Sequence, residues 1–300
     1  MERMMRPLPH LLLLVAVIFA GTDPALAQTP PPSDDFQSAI STLADRLAAD
    51  LPHLTSADKK HHAAPPKILV ADFPNRRNQW NILGQQFADA LSDALQSRLG
   101  PAAILPRTQF QQRMRASGIT LDDLRSDKTL QWQAAQLGAT HILTGRLARN
   151  DDLTNLDLTL TSIADPSQHT TASAVLSLPA DMEKLAHDPL DWPPDPAAPI
   201  ACPATTDNHG HSVTVPKCIL CTPPSYTDAA RKSRWQGNLL LKLSIDDQGQ
   251  VTSAITLAGA PYGVDDQALA TLRTWQFQPA TRDGQPIHTC VPVEVSLRFY

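Results

Sequence analysis

The sequence predicts an α+β protein, with an N-terminal α/β domain of order β-α-β-α-α-β-β-β joined by a Pro-rich linker to a small β-β-α-β domain. Three observations carry that expectation. Between residues 67 and 180, apolar stripes at helical spacing alternate with short apolar runs of strand length. Prolines then crowd the stretch 187–217. From residue 218 to 300, strictly alternating apolar runs flank one short helical pattern.

Composition sets the outer bounds. The 300 residues suit one or two domains, and a 42% hydrophobic share with 18% charged residues excludes a wholly disordered chain and a polytopic membrane protein. The net charge of −5 offers no basic field, so no nucleic-acid partner is expected. Proline is the outlier, 27 residues against a typical ~5%, while glycine is scarce at 12. Stiff segments are therefore expected rather than flexible Gly-rich ones.

The first element is a leader. Glu2, Arg3 and Arg6 precede the apolar run Leu11–Ala20, then Gly21, Pro24 and Ala25-Leu26-Ala27. A charged start, a ten-residue apolar centre and a small-x-small site describe a secretory signal peptide cleaved after Ala27. The run is shorter than the ~17–25 residues that span a bilayer. The alternative is an uncleaved anchor in the inner membrane, facing the periplasm. No cysteine follows the site, so lipid attachment there is not expected. A periplasmic location follows, and with it an oxidising compartment for Cys202, Cys218, Cys221 and Cys290. Four cysteines allow three pairings, and the residues alone do not choose among them.

Residues 28–66 read as a Pro-rich spacer and one amphipathic helix. Asp34 and Asp35 suit a helix N-terminus, and Phe36, Ile40, Leu43, Leu47 and Leu51 line one face. Within 67–180, Lys67–Phe73 reads as a buried strand. A helix follows with the stripe Leu83, Phe87, Leu91, Leu95 and Leu99, stopped by Gly100-Pro101. Ala102–Leu105 reads as a second strand, Thr108–Arg115 and Thr129–Leu137 as helices, and Ile142–Thr144 as a third strand. The alternating runs Leu156-Leu158-Leu160 and Ala174-Leu176-Leu178 complete the domain as half-exposed strands.

Ile68–Phe73, Leu83-Gly84, Arg107-Thr108 and above all Leu137-Gly-Ala-Thr-His-Ile-Leu-Thr-Gly145 resemble the α/β domain shared by the TolB N-terminal part, FlgO-like proteins and CsgG. The resemblance spans residues 34–180. It implies a non-enzymatic envelope protein that assembles or binds partners.

The linker is placed at 181–217, where Pro189, Pro193, Pro194, Pro196, Pro199, Pro203 and Pro216 fall. Proline removes donors and stiffens the chain, so an extended spacer holding two domains apart is expected.

From Cys218 on, Thr227–Lys232 reads as a helix with Ala229, Ala230 and Trp235 facing in. Leu239, Leu241, Leu243 and Ile245 alternate as a strand, Asp246–Gly249 turns the chain, and Val251, Ile255 and Leu257 return. Asp265 is a candidate N-cap for a helix bearing Ala268, Leu269, Leu272 and Trp275. Val291, Val293, Val295, Leu297 and Phe299 alternate as a last strand.

These residues closely resemble the TonB C-terminal domain family, over 218–300. The match runs through Pro224 and Tyr226, Ala229-Ala-Arg231, Gly237, Asp247, Gly249, Val251, Gly263-Val-Asp265, Ala268-Leu269, Trp275-Gln-Phe-Gln-Pro-Ala280, Asp283-Gly-Gln-Pro286 and the last alternating strand. The resemblance implies that an extended segment of an outer-membrane receptor, or of another envelope partner, pairs with the final strand. The docking strand is thus Val291, Pro292, Val293, Glu294, Val295, Ser296, Leu297, Arg298 and Phe299, with Pro292, Glu294, Ser296 and Arg298 facing outward. Pro292 lacks a donor and shortens the edge. The family also implies Cys218–Cys221 as a bridge, leaving Cys202–Cys290 as the other. Coupling to an inner-membrane motor complex would require the N-terminus to remain uncleaved.

No catalytic, cofactor or metal site is expected. The Cys218-x-x-Cys221 spacing would suit a thiol oxidoreductase only at the start of a helix in a thioredoxin-like fold. Zinc on these cysteines with His209 and His211 competes with oxidation. His61 and His62 lie in a polar loop, and Asp246-Asp247 has a turn explanation. No nucleophile elbow, phosphate loop or H-E-x-x-H helix is present. Three functions remain: a TonB-domain adaptor, a scaffold working through the α/β domain, and the thiol oxidoreductase.

Overall fold

The computed structural model describes residues 36–55, 65–150, 152–190, 192, 195, 197–200, 202 and 212–298. The leader, Asp34-Asp35, His61-His62, His209, His211 and Phe299 lie outside the described residues. The first domain runs α1 (Phe36–Thr55), β1 (Ile68–Val70), α2 (Ile82–Leu99), α3 (Arg107–Ser117), α4 (Asp127–Gln136), β2 (His141–Asn150), β3 (Leu153–Ser162), β4 (His169–Ser177) and α5 (Ala180–Lys184). Its sheet has the order β1-β2-β3-β4, with β1 parallel to β2 and the rest an antiparallel meander.

Side chains of β1 split the domain into two cores by the two-residue period of a strand. Ile68 and Val70 join the stripes of α1 and α2, where Ile40, Leu43, Leu47, Phe87, Leu91 and Leu95 are buried. Leu69 and Ala71 point the other way, toward Phe110 and Met114 of α3 and Leu130 and Ala134 of α4. Phe73 shows why two motif glycines are small. It is fully buried. A Cβ at Gly84 would lie 1.9 Å from its carbonyl oxygen, and one at Gly145 would lie 2.6 Å from its ring. Asn81 caps α2, its side chain accepting from the Gly84 N–H at 2.8 Å.

The expected strand Ala102–Leu105 is corrected to a 3-10 turn, Pro101–Ala103, followed by a single parallel bridge from Ile104 to Ile68. Pro101 contributes no donor and starts the tight turn, so only the Leu105 N–H reaches the Ile68 carbonyl, at 2.9 Å. Just beyond, Arg107 is buried and fans across three elements. Its guanidinium donates to Asp72, to Asp89 at 2.6 Å and to the Val70 carbonyl at 2.6 Å. That explains an arginine in the motif: it ties the end of β1 to α2 and α3.

His141 opens β2 and is 4% exposed, with Nδ1 2.9 Å from the Thr140 hydroxyl. Burial pushes its pKa below the usual 6.5. The unfolded chain therefore binds a proton at a pH where the folded chain does not, and stability is lost as pH falls through 6.5 toward the folded value. Urea unfolding at pH 7.5 and 5.5 should show a smaller acid loss in His141→Gln than in the parent.

The described residues of this stretch, 185–190, Trp192, Asp195, 197–200 and Cys202, pack on the α/β domain rather than forming a free spacer. The Ile82 N–H donates to the Asp188 carbonyl at 3.0 Å, Leu190 N–H to Trp80 at 3.1 Å, and Asp195 N–H to Arg115 at 3.0 Å. Trp192 and Ile200 are 6% and 0% exposed. These residues form a strap lying on the α/β domain, where Trp192 and Ile200 find a surface to bury against.

The second domain contains β5 (Lys217–Leu220), α6 (Asp228–Lys232), β6 (Gly237–Ile245), β7 (Val251–Ala258), α7 (Val264–Leu272), β8 (Gln276–Gln278), β9 (Ala280–Arg282), β10 (Gln285–Ile287) and β11 (Thr289–Leu297). The main sheet has the order β11-β6-β7, all antiparallel. Leu239, Leu241, Leu243 and Ile245 of β6 pack with Val264, Ala268 and Leu272 of α7. The β-β-α-β skeleton is as expected, with two short ribbons, β5-β8 and β9-β10, added. Two details differ. Gly263 occupies the N-cap position in the left-handed region and Asp265 lies inside the first turn, where its charge still meets the positive helix end. Ala230 is buried but Ala229 is exposed, since one turn of α6 presents a single face inward.

Candidate docking edge

β11 pairs with β6 along an unbroken register from Thr289↔Ile245 to Leu297↔Gly237. Its burial alternates as expected: Val295 and Leu297 are buried, Val291 and Val293 half-buried, and Pro292, Glu294, Ser296 and Arg298 exposed. Pro292 decides how the backbone faces. A proline fits an antiparallel ladder only where its nitrogen points away from the partner strand. Pro292 opposes Lys242 without a register shift, so its main-chain groups face the outer edge. By the two-residue period, those of Cys290, Glu294 and Ser296 do the same. The edge thus presents donors at Glu294 and Ser296, with the missing donor at Pro292 between Cys290 and Glu294. No strand of the described residues pairs with that side.

The outward side chains are held in place. Asn238 Nδ2 donates to Glu294 at 2.6 Å, and its Oδ1 accepts from Ser296 Oγ at 3.0 Å and Arg298 at 3.2 Å. Lys128 of α4 reaches Glu294 at 3.7 Å. The face of the sheet opposite α7 is covered by the α/β domain: Leu240, Ile255 and Leu257 join the cluster of α3 and α4. Lys242, in the middle of that face, forms a 2.7 Å ion pair with Asp123, and the two side chains are 8% and 12% exposed.

The structure holds two disulfides, Cys202–Cys290 and Cys218–Cys221. The first joins the strap to β11. The second sits on β5, an exposed extended segment, without the helix N-terminus that lowers a thiol pKa. Among the described residues, no group of three or more His, Cys, Asp or Glu side chains could hold a metal ion. A cavity beside Trp80, lined also by Asp72, Phe110 and Leu124, has a volume of about 10 Å³, the size of one water. No helix of the described residues is long and apolar enough to cross a membrane.

Residues 222–299 match the family described as Gram-negative bacterial TonB protein C-terminal. Over that segment the chain is similar to the TonB C-terminal domain. No curated protein matches the chain. Among solved structures, the LpoB C-terminal domain from Salmonella enterica is 16% identical, with a TM-score of 0.38, covering 48% of this chain and 99% of that one. The Pseudomonas aeruginosa TonB C-terminal domain is 17% identical, with a TM-score of 0.25, covering 28% and 86%. Lipoprotein GNA1162 from Neisseria meningitidis is 12% identical, with a TM-score of 0.33, covering 39% and 84%.

Sequence reasoning missed the residues that seat the TonB domain: Asp123, Gln133, Lys242 and Leu257. One signal was present. Lys242 stands between Leu241 and Leu243 in a run of apolar residues, and Leu240 lies on its face. A strand apolar on both faces with one embedded lysine implies a covered second face with a counter-charge.

Proposed function

We propose that this is a periplasmic envelope protein that captures an extended segment of a partner by strand addition to the open edge of β11. The observation that supports this most is the orientation of that edge at Glu294 and Ser296, which face away from β6 where no strand of the described residues pairs, in a segment similar to the TonB C-terminal domain. Backbone hydrogen bonds would supply affinity, and the row Glu294, Ser296 and Arg298 would read alternate side chains of the guest. The partner class is an outer-membrane receptor or another envelope protein with an accessible extended segment. Export through the leader at residues 1–27 supports the periplasm. Participation in energy-coupled transport would require those residues to stay as an inner-membrane anchor, so N-terminal sequencing of the mature chain decides that branch. We assign the protein no catalytic role.

The test is selection of extended peptides from a displayed library on the mature full chain, followed by titration of a selected peptide. Ser296→Pro removes one outward donor and no ladder bond to β6, so peptide Kd should rise about tenfold, the worth of one hydrogen bond. The unfolding midpoint should change little. Recovery of no peptide, or of peptides indifferent to Ser296→Pro, overturns the reading.

A further inference from the structure

The three-stranded sheet has two edge strands, and among the described residues no strand pairs with the outer side of β11. At the other, β7 carries a bulge: Leu241 opposes Thr256, yet the next residue, Leu240, opposes Ala258, leaving Leu257 as an extra residue. In a regular strand, consecutive carbonyls point to opposite sides, and a bulge breaks that alternation. Here the carbonyls of Thr256 and Leu257 both come within reach of one side-chain amide. Gln133 Nε2, from α4, donates to the first at 3.2 Å and to the second at 3.1 Å. Gln133 is 3% exposed and Leu257 1% exposed. The approach is close: a Cβ at Gly259 would lie 2.8 Å from the Trp132 ring.

α4 then crosses the sheet. It begins with Lys128 beside Glu294 of β11, and at its other end Gln133 closes β7. The short turn preceding it supplies Asp123 to Lys242 of the central strand. On the β11 side the strap ties the two domains, since Ile200 is buried against the α/β domain at Gly118 and Cys202 is bonded to Cys290 at the start of β11.

We propose that the α/β domain is a built-in occupant of the β7 edge at its bulge, capping the Thr256 and Leu257 carbonyls with Gln133 so that the two domains form one docking body and guest strands are directed to β11. The direction of guests rests on the function proposed above, while the occupancy of β7 stands on its own geometry. A buried amide filling a bulge answers the edge problem of a small sheet. An unpaired edge invites non-specific strand pairing, and covering it leaves a single site with one register.

Residue-resolved amide exchange on the full chain tests the cap without a partner. In the parent, the β7 amides that face β6, Ile255 and Ala258, should be protected, while those of Glu294 and Ser296 exchange near the unprotected rate. Gln133→Ala removes two hydrogen bonds and should speed exchange in β7 by about tenfold or more. Gly259→Val, which wedges Trp132 away, should act in the same direction. α7 amides, away from the cap, should keep their rates and so exclude general unfolding. Titration with a peptide selected on the parent should give one site in the parent and a second in Gln133→Ala/Gly259→Val, the second surviving Ser296→Pro. β7 amides as fast as those of Glu294 in the parent, or unchanged in both variants, would overturn the cap. If peptides fail to bind at all while β7 responds as described, the cap stands and strand capture at β11 fails.

Discussion

Replacing Cys202 and Cys290 together by serine should lower the unfolding free energy by roughly 4–5 kcal/mol, the value expected from the chain entropy of a loop of this size. The two cysteines are 88 residues apart in sequence. Cys218 and Cys221 are separated by three, and the same relation gives only about 1.5 kcal/mol for that bridge. The difference decides which bridge matters to stability. Urea unfolding of the two double-serine variants should show a large midpoint shift for the 202–290 pair and a small one for the 218–221 pair. The long bridge also acts locally, because it fixes the strap to the start of β11. Its loss should loosen β11 at Thr289–Val291 more than at Val295–Leu297, which amide exchange reads directly. Equal midpoints for the two variants would show that the strap holds its place by packing alone.

The difference between the bridges parallels the difference between what the sequence reveals and what it conceals. Local periodicity carried the helices of the α/β domain, the β6-β7 hairpin and α7, because each buries its own stripe or face against a neighbour close in the chain. The last strand was legible for the same reason: Val291, Val293, Val295 and Leu297 alternate. Strand Ala102–Leu105 failed because four residues do not distinguish a strand from a tight turn when Pro101 starts the turn. The strap failed more instructively. Proline content describes how a segment bends and donates, whereas Trp192 and Ile200 decide whether it leaves the surface, and their partners lie on α3 and its surroundings, distant in sequence. The cap on β7 was least legible. Gln133 reads as one polar residue on a helix, and its partners are two carbonyls 123 and 124 positions away. No pattern in one segment encodes an acceptor pair created by a bulge in another.

Asp123→Asn should cost about 3–5 kcal/mol, the penalty for leaving a buried charge without its partner. Lys242 is 8% exposed and lies between two domains, so its ammonium cannot reach water without opening the interface. Lys242→Met should cost less. Asp123 retains hydrogen bonds from the Thr120 N–H at 2.8 Å and the Thr120 hydroxyl at 2.9 Å, so its carboxylate stays satisfied. The double variant Asp123→Asn/Lys242→Met removes both charges and should recover most of the loss, since an apolar side chain of similar length fills the site beside Leu240 and Ile255. A double-mutant cycle by urea unfolding measures the coupling, expected at about 2–3 kcal/mol. Additive single and double effects would place the pair outside the packed interface. The asymmetry of the two single variants carries the sharper information. If Asp123→Asn is the worse of the two, the lysine is the group trapped by domain packing, and the ion pair selects the seating of the TonB domain on α4. Many apolar contacts could tolerate a rotated seating; a lysine with one carboxylate in reach cannot.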